Sequence, residues 1–303
     1  VLSSATIIAN LLEYSDIQEG IRMPRTQWVR SAAVVAVSAG LWLAWTQQPP
    51  AEPLKLEKLA DDLHVLSGSG GNVAILTTSE GVILVDDKFE RNVPEILENV
   101  KKVSDKPVRY VLNTHQHGDH TGGNEKLLAG AEILIQKNAR ANMVSGKQPG
   151  LPRITYNDEI SVFLGGKEVR AKHLGRGHTN GDSVIYFPAH RIVHTGDLFV
   201  AGAPFIDYKS GGSGMAWPAT VDRILELDFD RVIPGHGPVM TKADLKAWKT
   251  SFETVTQRLR DLKKAGKNKD EAAALLKFDD LTGWTSGGRM WPNGFPAFYE
   301  EVH

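Results

Sequence analysis

Four side chains able to bind a divalent metal fall within one hexapeptide, His115-Gln116-His117-Gly118-Asp119-His120, directly after the apolar stretch Val108–Asn113. Three imidazoles and a carboxylate crowded at a strand end repel one another when protonated and demand many hydrogen-bond partners when buried. A divalent cation removes both difficulties by sitting roughly 2.0–2.2 Å from each donor. A solvated polar loop accounts for one or two such residues; the full spacing His-x-His-x-Asp-His points to a metal site. The chain has no cysteine, so thiolate nucleophiles, disulfides and cysteine-bound structural zinc are excluded. Every ligand must therefore be His, Asp or Glu.

Donors this close need a framework that holds them. Short apolar runs bounded by Gly, Asp or Asn predict strands at Leu63–Ser67, Val73–Thr77, Gly81–Asp86, Val108–Asn113, Glu132–Gln136, Glu168–His173, Ser183–Phe187, Arg191–Thr195 and Arg231–Ile233. Between them, amphipathic stretches predict helices at Val93–Val103, Asn124–Ala129, Asn138–Val144, Thr220–Leu227 and Lys242–Lys264. In the last, Leu245, Trp248, Phe252, Val255, Leu259 and Leu262 recur three and four residues apart on one face. Thr241 with Asp244 supplies a capping-box start. The alternation is that of an α/β protein.

The hexapeptide is followed in order by Gly177-His178-Thr179 with Asp182, by Thr195-Gly196-Asp197 and by Pro234-Gly235-His236-Gly237. With these four blocks, from about Leu54 to Leu262, the chain resembles the metallo-β-lactamase-fold hydrolase superfamily. The resemblance implies an αββα sandwich of two packed sheets with outer helices and two similar halves, each metal motif following a strand along one edge. It also implies that His115, His117 and His178 hold one metal, that Asp119, His120 and His236 hold the other, and that Asp197 bridges them. Two zinc ions so held share a water and lower its pKa to about 7, so that hydroxide attacks a carbonyl without a protein nucleophile. Asp119 is the catalytic residue implied, orienting the hydroxide and passing its proton to the leaving group. Manganese or iron also suits these ligands.

The superfamily hosts several reactions, so the substrate must be argued from the site. Class B1 and B2 β-lactamases resemble this chain in the hexapeptide but carry cysteine where Asp197 stands. B3 enzymes use the equivalent of His120 and usually lack a bridging Asp. Glyoxalase-II-like thioesterases and lactonases carry that Asp, which moves the expectation toward a small ester, lactone or thioester, with β-lactams still open. A mononuclear-iron persulfide dioxygenase is the rival of another reaction class. Asp86 stands where the family has an Asp supporting the metal site, and Thr179 and Asp182 stand where it has loop-orienting residues. His64, His173, His190, His194 and His303 lie outside the motifs and read as structural, with His194 close to the site by its adjacency to Asp197.

Substrate contacts are expected from two glycine-rich loops free to move, Gly68-Ser69-Gly70-Gly71-Asn72 and Phe199–Trp217. In the second, Tyr208 is a candidate for stabilising an oxyanion and Lys209 for pairing a substrate carboxylate. Trp284, Trp291, Phe295, Phe298 and Tyr299 read as core packing near the C-terminus. A small-molecule substrate is the partner these features imply.

With 303 residues, 41% of them hydrophobic, and a formal net charge of −1, the chain has core enough for a globular fold and no electrostatic footprint for nucleic acid. Ala32–Trp45 is an apolar run preceded by Arg22, Arg25 and Arg30 and followed by Gln47-Gln48-Pro49-Pro50. It is shorter than the roughly 20 residues of a membrane span and has the layout of an export signal. The expected organisation is an upstream extension over 1–22, a signal or uncleaved anchor with its linker over 23–50, and a catalytic domain with C-terminal helices over 51–303. The expected address is periplasmic or secreted, with membrane contact only through an uncleaved N-terminal segment.

Overall fold

The computed structural model describes residues 53–281 and 294–303. The extension, the export segment and its linker, and Trp284 and Trp291, lie outside the described residues. Strands β1 (Lys55–Lys58), β2 (Leu63–Ser67), β3 (Val73–Thr77) and β4 (Val82–Val85) form an antiparallel meander, which β5 (Val108–Leu112), β6 (Glu132–Gln136) and β7 (Ile154–Tyr156) extend in parallel in sequence order. Parallel steps require crossovers. These are α1 (Val93–Val103), the short helices α2 (Gly118–Thr121) and α3 (Asn124–Leu127), and α4 (Lys137–Ser145).

The second sheet repeats the plan with fewer crossovers. Strands β8 (Glu159–Leu164), β9 (Lys167–Lys172), β10 (Val184–Phe187) and β11 (Ile192–His194) form another meander. Helix α5 (Trp217–Leu225) then crosses to β12 (Arg231–Ile233), parallel to β11, and β13 (Met240–Thr241) pairs antiparallel beyond it. Helices α6 (Lys242–Lys264), α7 (Lys269–Leu275) and α8 (Phe295–Glu301) complete the described chain.

Three apolar layers account for the architecture. Alternate residues of the first meander, Leu63, Val65, Ala74, Leu76, Ile83 and Val85, meet Val169, Ala171, Ile185, Phe187, Ile192 and Ile233 of the second sheet between the sheets. The intervening residues Val73, Ile75, Val82 and Leu84 face Val93, Ile96 and Val100 of α1 on one outer side. On the other, Val184, Val193 and Val232 pack on α5 and α6. A sheet buried on both faces reads as a continuous apolar run rather than an alternating one, as in β4 and β10. Burying each such side chain contributes about 1.5–3 kcal/mol. The result is the αββα sandwich expected from the resemblance.

Several predicted elements have the observed bounds, α6 with its Thr241–Asp244 capping box among them. Strands β1, β7, β8 and β13 escaped the sequence reading because they lie at sheet margins, where backbone pairing needs no apolar face. Strand β1 reads Lys-Leu-Glu-Lys, and β8 exposes Phe163. Charged edge strands of this kind also discourage edge-to-edge aggregation. No helix among the described residues is long and apolar enough to cross a membrane.

Candidate metal centre

All seven residues singled out as ligands lie together, on the connections that follow β5, β9, β11 and β12. The first group is His115, His117 and His178. His178 Nε2 lies 2.8 Å from His117 Nδ1, and His115 Nε2 lies 3.2 Å from it. The outward nitrogen of each ring faces a partner that assigns its tautomer. His178 Nδ1–H donates to Phe205 O at 2.6 Å, and His117 Nε2–H donates to Asp207 Oδ2 at 2.9 Å. Thr114 Oγ1 donates to Asp86 Oδ2 and so accepts from His115 Nδ1–H at 3.1 Å. Three imidazole lone pairs therefore converge on one point. Burial and the neighbouring rings keep His115 neutral, its pKa well below the usual value, and burial pushes His178 down to about 4. Neutral nitrogens with converging lone pairs fit a divalent cation and little else.

The second group is Asp119, His120 and His236. His120 is fully buried, and its Nδ1–H donates to Asp86 Oδ2 at 2.7 Å. Its Nε2 is sealed from solvent and makes no hydrogen bond among the described residues, while Asp197 Oδ1 lies 3.3 Å away. Burial opposes a charge on His120, but Asp86 and Asp197 outweigh it and raise the pKa well above the usual value, as the same carboxylates would favour any cation there. His236 Nε2 lies 3.2 Å from Asp119 Oδ2 and 3.3 Å from Asp197 Oδ1.

Asp197 joins the groups, since its other oxygen, Oδ2, lies 3.7 Å from His178 Nε2. It sits on a tight turn with Gly196 at φ 51, and a Cβ on Gly235 would fall 2.0 Å from its Oδ1, so this corner admits only glycine. Each group fits the binding of a metal ion, its donor atoms lying within 4.8 Å of one another, and the Asp197 carboxylate lies between the groups.

Behind the second group, β4 is followed by Asp86-Asp87-Lys88. Asp86 and Lys88 adopt left-handed φ of 61 and 59, at a cost of about 1–3 kcal/mol each. The turns send three consecutive buried side chains to three places. Asp86 accepts from Thr114 N at 2.8 Å as well as from Thr114 Oγ1 and His120, the supporting role expected of it. Asp87 Oδ1 accepts from Gly123 N at 2.9 Å, and Lys88 Nζ donates to Gly71 O at 2.6 Å. Burial lowers the Lys88 pKa to about 8.

That lysine bond corrects the expectation of a freely moving Gly68–Asn72 loop. Gly71 N donates to Asp119 O at 3.0 Å, and Asn72 N donates to Gly235 O at 2.7 Å. Asn72 Nδ2 donates to both Pro234 O and Gly237 O. A Cβ on Gly71 would lie 2.2 Å from His120 Cε1. Glycine there allows the loop to lie on the ring. His194 has a comparable structural part: its Nδ1 accepts from Gly196 N and its Nε2–H donates to Asn72 O, both at 3.1 Å.

The second loop corrects two further expectations. Tyr208 turns away from the histidines and donates to Glu301 Oε2 at 2.7 Å, so it is not an oxyanion donor. Its glycines serve close packing rather than motion: a Cβ on Gly212 would meet His178 O at 2.4 Å, and one on Gly214 would meet the Phe298 ring at 2.6 Å. Lys209 is exposed. Two residues of this loop do reach the site, Phe205 by its carbonyl and Asp207, beside Tyr208, by its side chain, and both went unremarked in the sequence reading. Thr179 and Asp182 bond each other and shape the turn after His178. Phe295 and Phe298 are buried, as expected of packing residues. The open side of the centre is formed by Asp119, His117 and His236, whose side chains are 25%, 26% and 19% exposed. Beside His236 lies a cavity of about 350 Å³ bounded by Ser67, Gly68, Gly70, Asn72 and Gly237, within the range of small-molecule sites.

A two-sheet sandwich with a His/Asp cluster along one edge defines a metal-dependent hydrolase of one architecture. The chain belongs to the metallo-beta-lactamase superfamily, whose family model matches residues 66–236. It is 28% identical over 190 residues to the metallo-beta-lactamase type 2 of Bacillus cereus, covering 59% of this chain and 72% of that protein. It is 27% identical over 254 residues to the beta-lactamase-like protein 2 homolog of Caenorhabditis elegans, covering 78% and 80%. With the 2,4-dinitroanisole O-demethylase subunit alpha of a Nocardioides strain it shares 25% identity over 57% of this chain, and the match spans about half of that subunit, 54%. Among solved structures, a metallo-beta-lactamase from Pontibacter korlensis superposes with a TM-score of 0.61 at 22% identity, over 66% of this chain and 99% of that one. That similarity bears on the fold.

Proposed function

We propose that this chain is a zinc-dependent binuclear hydrolase acting on the carbonyl of a small ester, lactone or thioester. The observation that carries the reading is Asp197, whose two oxygens face the two donor groups. His115, His117 and His178 would hold one ion, Asp119, His120 and His236 the other, with Asp197 shared. Bound there, two such ions supply Lewis acidity toward the carbonyl and a water acidic enough to attack at neutral pH. Asp119 borders the open side. Burial raises its pKa, but His236 and His120 outweigh that and hold it well below the usual carboxylate range, so it stays ionised. An ionised Oδ2 at that place can orient the attacking water, take its proton and return it to the leaving group. Carboxylate rather than thiolate at position 197 favours the ester, lactone and thioester branch. A second reading, β-lactam hydrolysis, draws support from the named β-lactamases among the relatives. The arginine-flanked apolar run 32–45 supports export, and N-terminal sequencing of the mature protein would test it.

The deciding experiment is metal analysis of protein purified without added metal, followed by assay of a lactone, a thioester and a chromogenic β-lactam. About two zinc per chain with turnover of a lactone or thioester is the expected result, and turnover of the β-lactam alone would establish the second reading. One iron per chain with no hydrolysis would overturn both in favour of sulfur oxidation.

A further inference from the structure

Two of the three outer acceptors of the first histidine group, Phe205 O and Asp207 Oδ2, belong to the long connection between β11 and α5. A connection of that length does not by itself hold atoms to the few tenths of an ångström that metal ligation requires. What holds it is a carboxylate from the far end of the chain. Glu301 Oε2 accepts from Tyr208 Oη at 2.7 Å, from Gly214 N at 2.9 Å and from Met215 N at 3.3 Å, and Oε1 accepts from Ser213 Oγ. Four neutral donors from one loop thus meet a single carboxylate, and bonds to an ionised acceptor are about twice as strong as neutral ones.

The helix that carries Glu301 is itself fixed. Phe298 is fully buried, with its ring 5.9 Å from that of Phe252 on α6. Lys263 Nζ caps the end of α8 by donating to Tyr299 O at 2.7 Å and Val302 O at 2.6 Å. The connection then runs without a break from α8 to the histidines: Gly212 N donates to Asp207 O, Asp207 N donates to His178 O, and Ser213 N donates to Gly177 O, each at 2.9 Å.

We propose that Glu301 is a positioning residue for the His115, His117 and His178 group, acting from α8 through the loop that carries Phe205 and Asp207. The inference rests on the metal-site reading above. A carboxylate that only fastened the C-terminal helix would change stability without distinguishing the two halves of the centre. One that positions the acceptors weakens one metal and spares the other.

The test uses the full chain with Glu301→Ala and Glu301→Gln. Stepwise zinc affinities are measured by chelator competition on metal-stripped protein, and imidazole N–H exchange is followed by NMR on the zinc-loaded form. In Glu301→Ala one zinc step should weaken by about 10–100-fold, with the other nearly unchanged. His117 Nε2–H and His178 Nδ1–H should exchange faster while His120 Nδ1–H, held by Asp86, does not. Glutamine keeps one acceptor oxygen and an amide that can donate to Ser213 Oγ, so it should restore most of the lost affinity. A folded Glu301→Ala with both zinc steps and both exchange rates unchanged overturns the proposal. Should that variant not fold, Tyr208→Phe removes one donor and should shift the same step in the same direction, and no shift overturns it equally. Wild-type protein that binds no zinc at these histidines would instead overturn the metal reading itself.

Discussion

The two halves of the candidate metal centre both rely on imidazoles but are supported by different parts of the molecule. His120 is backed by Asp86, a fully buried carboxylate at the end of a central strand, bonded also to Thr114. His117 and His178 are backed by Asp207 and Phe205, on a surface connection secured from α8. His120, and His115 through Thr114, are tied to the sheet by Asp86, whereas His117 and His178 are only as rigid as the loop that carries their acceptors. Support of the first kind couples metal binding to global stability, and support of the second kind leaves the two separable.

The largest effect is expected at the residue both halves share. Asp197→Asn should weaken both zinc steps and lower turnover by more than the roughly 10–100-fold that follows loss of an outer partner, read by metal content after dialysis and by steady-state rates. If only one step responds, Asp197 is not the bridge. Next come the paired outer carboxylates. Asp86→Asn should weaken the zinc step that uses His120 most, reach the other only through Thr114 Oγ1 and His115, and also lower unfolding free energy by about 1–3 kcal/mol, since a buried amide cannot replace all three accepted bonds. Asp207→Asn should weaken the other step with a smaller change in urea midpoint. Equal stability losses in the two variants would erase the distinction between sheet-borne and loop-borne support.

Gly71→Ala sharpens the same contrast, because the added methyl must displace the His120 ring. The expected cost is about 1–3 kcal/mol of stability, with loss confined to the His120 step in zinc titrations. Smallest is a pH effect at Lys88. Its pKa is lowered from 10.5 to about 8 in the folded chain, so between those values the unfolded chain holds more protons and stability rises with pH. Lys88→Met should lose that rise, and denaturant midpoints measured from pH 7 to 10.5 would reveal a wild-type curve no different from the variant if burial of the ammonium carried no penalty.

What the sequence disclosed follows this division. The seven donors and Asp86 stand in short motifs directly after apolar strands; type and spacing singled out the hexapeptide, and the family resemblance pointed to the others. Nothing in the local sequence marks Asp207 or Glu301: one sits in a glycine-rich loop beside a more conspicuous tyrosine, the other on an amphipathic helix 88 residues from Ser213. Lys88 and Asn72 were hidden for another reason. A lysine after a strand reads as solvated, and only the left-handed turn at Asp86 takes it inward. Glycines in these loops suggested motion because sequence shows what glycine permits, whereas packing determines which of its properties is used.

The latch formed by Asn72 joins residues 162 and 165 positions apart, through Pro234 O and Gly237 O. At synthesis rates of roughly 5–20 residues per second, a separation of that size corresponds to roughly 10–30 s on the ribosome. The hexapeptide histidines wait for a shorter time, since His236 follows His120 by 116 residues, or roughly 6–23 s. His178 emerges earlier, so the group of three histidines is complete first. The order of support is the reverse: Glu301, which secures the acceptors of His117 and His178, lies 65 residues beyond His236, so the group assembled first is expected to reach its full affinity last.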